Sequence, residues 1–201
     1  MTEAGERRHG LEPFLGNASH SGAGQAVVDI WIQPDLRHIN LRGNPANSSF
    51  MNAVTDVLGQ EMPSSPNTTT VDTHKVFWLG PDEWLILTEE KQLAERLQES
   101  LAGVHAALND VSGGQVALRV SGAHVHDVLA KGCTLDFHPA VFSAGMCAQS
   151  GLAKANVLID LCEQDSGKPV FDIVVRRSFS DYLVRWLEHA AAEFGTAWSI
   201  S

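Results

Sequence analysis

Residues 77–87, FWLGPDEWLIL, place Trp78 and Trp84 on either side of Gly80, Pro81, Asp82 and Glu83. Paired tryptophans beside paired carboxylates are the components of a sugar-binding platform with a general acid. Glycoside chemistry needs a second carboxylate across a cleft, and no partner is identifiable by spacing. The favoured reading is a packed hairpin, in which Pro81 presets φ at the turn and Asp82 bonds nearby backbone N–H groups.

His124 and His126 form an H-x-H. On a strand the two would share a face and suit a metal. On the short helix expected there they point about 200° apart, which argues against a metal pair. His138 precedes Pro139 in an expected loop. The stretch NDVSGGQ (109–115) would let backbone approach a ligand or another chain through Gly113 and Gly114, although a tight turn between strands is favoured. Phosphate loop, dinucleotide fingerprint, nucleophile elbow and Cys–His pairing are all absent from the sequence. The three cysteines, Cys133, Cys147 and Cys162, include no CxxC pair, so neither a disulfide framework nor a zinc knuckle is expected. They suit a reducing compartment. Arg176 and Arg177 end an apolar strand and would pair with carboxylates of a neighbouring subunit or a ligand, or stay solvated.

The elements that position these residues follow from periodicity. Residues 1–25 are rich in Gly, Ser, Glu and Arg and read as a flexible tail, with Leu11, Phe14 and Leu15 as its docking contacts if it docks. AVVDIWIQ (26–33) and LRHINLRG (36–43) read as strands joined near Pro34. A helix starts at the capping residues Asn47 to Ser49, buries Phe50, Ala53, Val54, Val57 and Leu58, and stops at Gly59. QEMPSSPNTTT (60–70) is a connector. After the tryptophan hairpin, Thr88 is the expected cap of a helix that buries Leu93, Leu97 and Leu101. Further on, strands are expected in VHAALNDVS (104–112) and QVALRVSG (115–122), then a short helix closed by Gly132. SGLAKANVLIDLCE (150–163) and PVFDIVVRR (169–177) read as a strand pair around the turn signal QDSGK. A final helix over 178–195 has Ser178 or Ser180 as cap, and Tyr182, Leu183, Trp186, Leu187 and Ala190 face inward.

The charge of −10, from 24 acidic and 14 basic residues, argues against a sequence-independent nucleic-acid binder and an anionic membrane surface. No signal-peptide apolar region opens the sequence, and no run approaches the roughly 18 apolar residues of a membrane span. A cytoplasmic location is expected.

Three stretches together, LGPDEWLIL (79–87), NDVSGGQVALRVSGAHVHDVLAKGCTLDFHP (109–139) and FDIVVRRSFSDYLVRWL (171–187), closely resemble the gamma subunit family of heterotetrameric sarcosine oxidase over roughly residues 70–190. The resemblance implies alpha, beta and delta subunits as partners. It also implies a complex that oxidatively demethylates sarcosine to glycine and hydrogen peroxide and passes one carbon to tetrahydrofolate. FAD, FMN, NAD, tetrahydrofolate and zinc are implied for the other subunits, with no cofactor, metal or catalytic residue in this chain. NDVSGGQVALRVSG and GAHVHDVL are further similar to the folate-binding aminomethyltransferase fold. Folate-using members of that fold carry an acidic pair on a later strand. Here VFDIVV places Phe171 beside Asp172, a departure that leaves Asp172 without an inherited role.

The expected fold is α+β, with two similar βαβ-rich halves (about 26–103 and 104–201) and mostly antiparallel sheets packed by helices. The expected function is that of a non-catalytic gamma subunit. Aromatics and arginine anchor interfaces, so Trp31, Trp78, Trp84, Arg176, Arg177 and Trp186 are the interface candidates. The rival reading is a stand-alone folate-binding or aminomethyltransferase-like protein using Asp110 to Gly114 with Asp172. A sugar-binding module rests only on Trp78 and Trp84.

Overall fold

Strand alternation and helical stripes resolve into fifteen elements in a computed structural model, which describes residues 11, 28–33, 35–162 and 168–200. In chain order they are β1 (Val28–Gln33), β2 (Arg37–Gly43), α1 (Ser48–Leu58), β3 (Thr69–Val71), β4 (Lys75–Gly80) and β5 (Glu83–Thr88). There follow α2 (Leu93–Ser100), β6 (Ala106–Asp110), β7 (Gln115–Ser121), α3 (Val125–Ala130) and β8 (Cys147–Leu152). β9 (Ala155–Leu161), β10 (Val170–Arg176), α4 (Arg177–Ala191) and β11 (Thr196–Ile200) complete the chain.

The strands form a six-stranded sheet in the order β11-β1-β7-β10-β9-β8 and a five-stranded sheet in the order β3-β4-β5-β2-β6. Every pairing between named strands is antiparallel except β1 with β11. The two orders match strand for strand: β3-β4-β5-β2-β6 corresponds to β8-β9-β10-β7-β1, with β11 added at one edge. The halves are therefore similar in element order, and each lends its first strand to the other's sheet. Position 103/104 separates the halves along the chain but not the sheets in space, because β1 belongs to the second sheet and β6 to the first.

Alternation of side chains gives each sheet a helix-facing side and a sheet-facing side. Ile39, Leu41, Val76, Trp84 and Ile86 pack with Phe50, Val54, Leu93 and Leu97 of α1 and α2. Ile30, Leu118, Ile159, Phe171 and Ile173 pack with Val128, Leu129, Leu183 and Leu187 of α3 and α4. Between the sheets lies a smaller apolar layer that includes Phe77, Leu85, Leu87, Ala117, Leu158 and Val174. The result is four layers, helix–sheet–sheet–helix. Leu11, the only described residue before Val28, is fully buried in the α3/α4 core. A freely flexible tail does not account for that residue. Phe14, Leu15, the remaining tail residues and Pro34 lie outside the described residues, as does all of QDSGK except Lys168.

Helix α1 forms as its sequence directs. The Asn47 side chain accepts from Ser49 N, and Gly59 ends the helix at φ 70°, a left-handed conformation glycine adopts without strain. Elsewhere local signals misled. Thr88 ends β5 rather than capping α2: its hydroxyl accepts from Glu90 N at 3.0 Å and meets His74 Nδ1 at 2.8 Å. Neither Ser178 nor Ser180 caps α4, which begins at Arg177, and the Ser180 hydroxyl donates back to Arg177 O within the helix. Of the residues expected to face inward on α4, Leu183 and Leu187 are buried; Tyr182, Trp186 and Ala190 pack at the core's margin. The stretch read as one strand over 150–163 is the end of β8, a two-residue turn, and β9. No residue type marks that turn, because Ala153 takes φ 53° where a hairpin usually uses Asn or Gly. The connector 60–70 ends in β3, and β11 follows Gly195, where no strand was expected.

Candidate functional site

Three neighbouring strands of the six-stranded sheet, each largely apolar, carry a charge inside the run: Arg119 in β7, Asp172 in β10 and Asp160 in β9. The register sets Asp172 directly opposite Arg119 on one side and Asp160 on the other. All three project toward the five-stranded sheet. Two carboxylates side by side would repel, and a lysine from the facing sheet meets both. Lys75 of β4 places Nζ 2.5 Å from Asp160 Oδ2, 2.6 Å from Asp172 Oδ2 and 3.2 Å from Cys162 Sγ. Arg119 holds Asp172 bidentately at 2.7 and 2.8 Å, and Gln33 Nε2 donates to Asp172 Oδ1 at 3.2 Å. The side chains of Asp160 and Asp172 are 2% and 3% exposed, and that of Lys75 is 12%. Asp160 Oδ1 is buried with no hydrogen-bond partner among the described residues.

Burial alone would raise the Asp172 carboxyl, but the Arg119 hydrogen bonds and the Lys75 charge outweigh it and hold the group at about 2. Burial would lower the Lys75 ammonium, and Asp160 and Asp172 outweigh it in the opposite direction, raising it. Burial pushes the Cys162 thiol up to about 12, reinforced by Asp172. A general acid or base works best with a pKa near the operating pH, and a nucleophilic cysteine needs its thiolate. Asp172 stays ionised, Lys75 stays protonated and Cys162 stays a thiol at neutral pH. Donor atoms of Asp160, Cys162 and Asp172 lie within 4.8 Å of one another, a grouping able to hold a metal ion. The Lys75 ammonium already sits among them, and with Arg119 it balances both carboxylates. The geometry is that of an electrostatic clamp between two sheets.

The clamp borders a cavity of about 470 Å³ whose lining includes His74, Lys75, Thr88, Glu90, Arg119 and Asp172. His74 is buried, and desolvation lowers its pKa; His126 is lowered for the same reason. Histidines desolvated in the neutral form oppose protonation, so their contribution is full above about pH 6.5 and declines as pH falls below it. The depressed Asp172 contributes fully above about pH 4, and its share is lost as pH falls toward 2. Lys75, raised, contributes below about pH 10 and loses its share as pH rises further. Urea unfolding across pH should therefore show a plateau from about pH 7 to 9 and a two-stage decline on the acid side. The lower stage, about 2–3 kcal/mol, should vanish in Asp172→Asn; if that stage persists unchanged, the assignment is wrong.

The other sequence candidates occupy separate places. Trp78 and Trp84 lie opposite each other across the β4–β5 hairpin, on the helix-facing side. Trp84 is 1% exposed, donates Nε1–H to Pro63 O at 2.9 Å and lies 5.9 Å from the Phe50 ring. It is a core residue and not the interface residue expected of it. Glu83 projects to the opposite side and accepts from Asn40 Nδ2 at 2.8 Å, while Asp82 pairs with Arg42 at 3.1 Å. Tryptophans and carboxylates thus form no shared sugar pocket.

His124 stacks on Phe194 and meets Asp127, whereas His126 meets Phe171 edge-on. The Asp110–Gly114 turn is held by its own groups and by β2: Ser112 N and Oγ both donate to Asp110, and His38 N donates to Ser112 Oγ. Gln115 pairs with Arg176, four residues along β10 from Asp172, roughly 13 Å away. The turn and Asp172 therefore do not converge. Trp31 and Trp78 are half-buried; Trp186, also half-buried, packs where a Cβ on Gly132 would come within 2.4 Å of its ring. Arg176 and Arg177 are exposed. Lys75, Arg119 and Asp160 escaped the sequence reading. Arg119 and Asp160 carry a signal, a charge inside an otherwise largely apolar strand; Lys75, at the start of β4, carries none.

A family model described as "Sarcosine oxidase, gamma subunit family" matches residues 42–193. A sarcosine oxidase subunit gamma of Corynebacterium sp. (strain P-1) is 27% identical over 199 residues, covering 98% of this chain and 96% of that protein. One from Arthrobacter sp. is 29% identical with the same coverage. Among solved structures, a chain of heterotetrameric sarcosine oxidase from Corynebacterium sp. U-96, in complex with pyrrole 2-carboxylate, superposes with a TM-score of 0.82 at 26% identity, covering 93% of this chain and 95% of that one. Glycine cleavage system aminomethyltransferase T from Bartonella henselae gives 0.65 at 13% identity, over 94% of this chain and 58% of that one, a likeness of fold alone.

Proposed function

We propose a function from one premise: this chain belongs to the sarcosine oxidase gamma subunit family. It is the non-catalytic gamma subunit of a heterotetrameric complex with alpha, beta and delta partners, an oxidoreductase that demethylates sarcosine to glycine and hydrogen peroxide with transfer of the one-carbon unit to tetrahydrofolate. FAD, FMN, NAD, tetrahydrofolate and zinc belong to the other subunits, and the complex works in the cytoplasm. Among the described residues, no helix is long and apolar enough to cross a membrane.

The observation that carries this reading is the match to gamma subunits along nearly the whole chain. The clamp supports it: its charges are locked in the ionisation states that hold two sheets together, not those that move protons. The chain contributes a rigid surface that holds the larger subunits in register. Trp31, Trp78, Trp186 and Arg177 are its interface candidates beside Arg176.

A tagged pull-down from source cells, with the co-purifying chains identified by mass, tests the reading. Two large flavin- and folate-binding chains and a small fourth chain should be recovered in stoichiometric amounts. Recovery of the chain alone, with saturable micromolar binding of tetrahydrofolate, would favour the stand-alone folate protein instead.

A further inference from the structure

The sheet face that carries the clamp carries a second polar row, four residues along each of the same three strands. The first row is Arg119, Asp172 and Asp160, in which each cation has its carboxylate. The second is Gln115, Arg176 and Asn156, where an arginine lies between two amides. Arg176 is directly opposite Gln115 in the register. All three line a cavity of about 500 Å³, whose apolar floor comes from Leu85 of one sheet and Leu158 and Val174 of the other. The Gln115 amide oxygen meets His38 Nδ1 at 3.0 Å, which leaves its N–H₂ as a donor. Arg176 is exposed, and its guanidinium has no ion pair or hydrogen bond with any described residue. In a chain with ten more carboxylates than basic groups, this guanidinium meets none among the described residues.

We propose that this cavity receives a carboxylate side chain from another subunit of the complex. Its carboxyl group pairs with Arg176, and its methylenes lie on Leu85, Leu158 and Val174. The inference rests on the subunit reading and names the chemistry of the contact. Three features favour a protein carboxylate over a free metabolite. The arginine stands at an open rim with no described residue hydrogen-bonded to its guanidinium, whereas small-ligand sites lock their charged groups with supporting hydrogen bonds. Arginine is also enriched at protein interfaces. Finally, a covered rim would desolvate the pair, the condition under which charge pairs across an interface matter most.

The test co-expresses the four subunits with Arg176→Glu in this chain. Wild type should assemble, and the variant should lose at least tenfold in recovered complex at matched expression, while the thermal midpoint of the isolated variant chain stays that of wild type. A photo-cross-linking residue at position 156 should label an acidic segment of a partner subunit. Assembly of Arg176→Glu within twofold of wild type would overturn the inference and leave the subunit reading intact. Cross-links confined to this chain, or saturable binding of glutarate to the isolated chain, would also overturn it. If wild type itself fails to assemble, the subunit reading fails and the inference falls with it.

Discussion

Lys75→Met should lower the unfolding free energy by about 3–5 kcal/mol, the usual consequence of removing one partner from a buried ion pair. Lys75 is the one clamp member that comes from the five-stranded sheet. Without it, Asp160 and Asp172 face each other across the β9–β10 ladder, and Asp160 loses its cation. Asp172 keeps the bidentate bond to Arg119, but that guanidinium is 43% exposed and screened by water, so it compensates only in part. The loss should come from unpaired charge rather than lost volume. Adding Asp160→Leu to Lys75→Met should therefore recover most of it, because replacing both members of a buried pair with apolar groups is often neutral. Urea unfolding of wild type, single and double variants reads this directly. A Lys75→Met loss below 1 kcal/mol, or a double variant less stable than the single, would contradict the clamp.

Trp84→Ala should cost about 3–5 kcal/mol, the range for emptying a buried aromatic site. The indole fills the space between the β4–β5 hairpin and α1, against Phe50, and its N–H satisfies the buried Pro63 carbonyl. Trp84→Phe keeps part of the packing but strands that carbonyl, at a cost of about 1–3 kcal/mol. Trp78, half-buried on the same hairpin, should cost less than Trp84 when truncated. A sugar-binding pair would show the reverse pattern, with both alanine variants stable. Thermal or urea unfolding of the three variants distinguishes the two.

Much of the fold was legible because helices with clean stripes announce themselves. Asn47, Phe50, Val54, Leu58 and Gly59 specify α1 almost without help from the rest of the chain. What escaped was structure held by distant partners. Nothing local marks Thr69–Val71 as a strand; it pairs with β4, and its flank is fastened to the other sheet by the Thr68–Met146 bridge. The β8–β9 turn hid because Ala153 adopts a conformation its type disfavours. The reciprocal lending of β1 and β6 leaves no trace in periodicity, since a strand reads alike in either sheet.

The clamp was half legible. Asp172 drew notice only through the resemblance to the folate-binding fold. Lys75 sits at the start of KVFWLG, where a charge looks like an ordinary strand end. Its partners, Asp160 and Asp172, are 85 and 97 residues away, a separation no local pattern spans. Trp84 was misplaced for the complementary reason. Tryptophan favours both cores and interfaces, and only the location of Pro63 and Phe50 separates the two.

The central claim is that this chain contributes structure rather than chemistry to its complex. It is tested most directly by the steady-state kinetics of sarcosine oxidation in a purified four-subunit complex carrying Asp172→Asn, normalised to flavin in the intact assembly. The account predicts kcat and KM within about twofold of wild type per assembled complex, since only interactions made with the reacting substrate change transition-state stabilisation. A drop in kcat of tenfold or more in a complex of unchanged composition would contradict it, and would place Asp172 in the catalytic machinery.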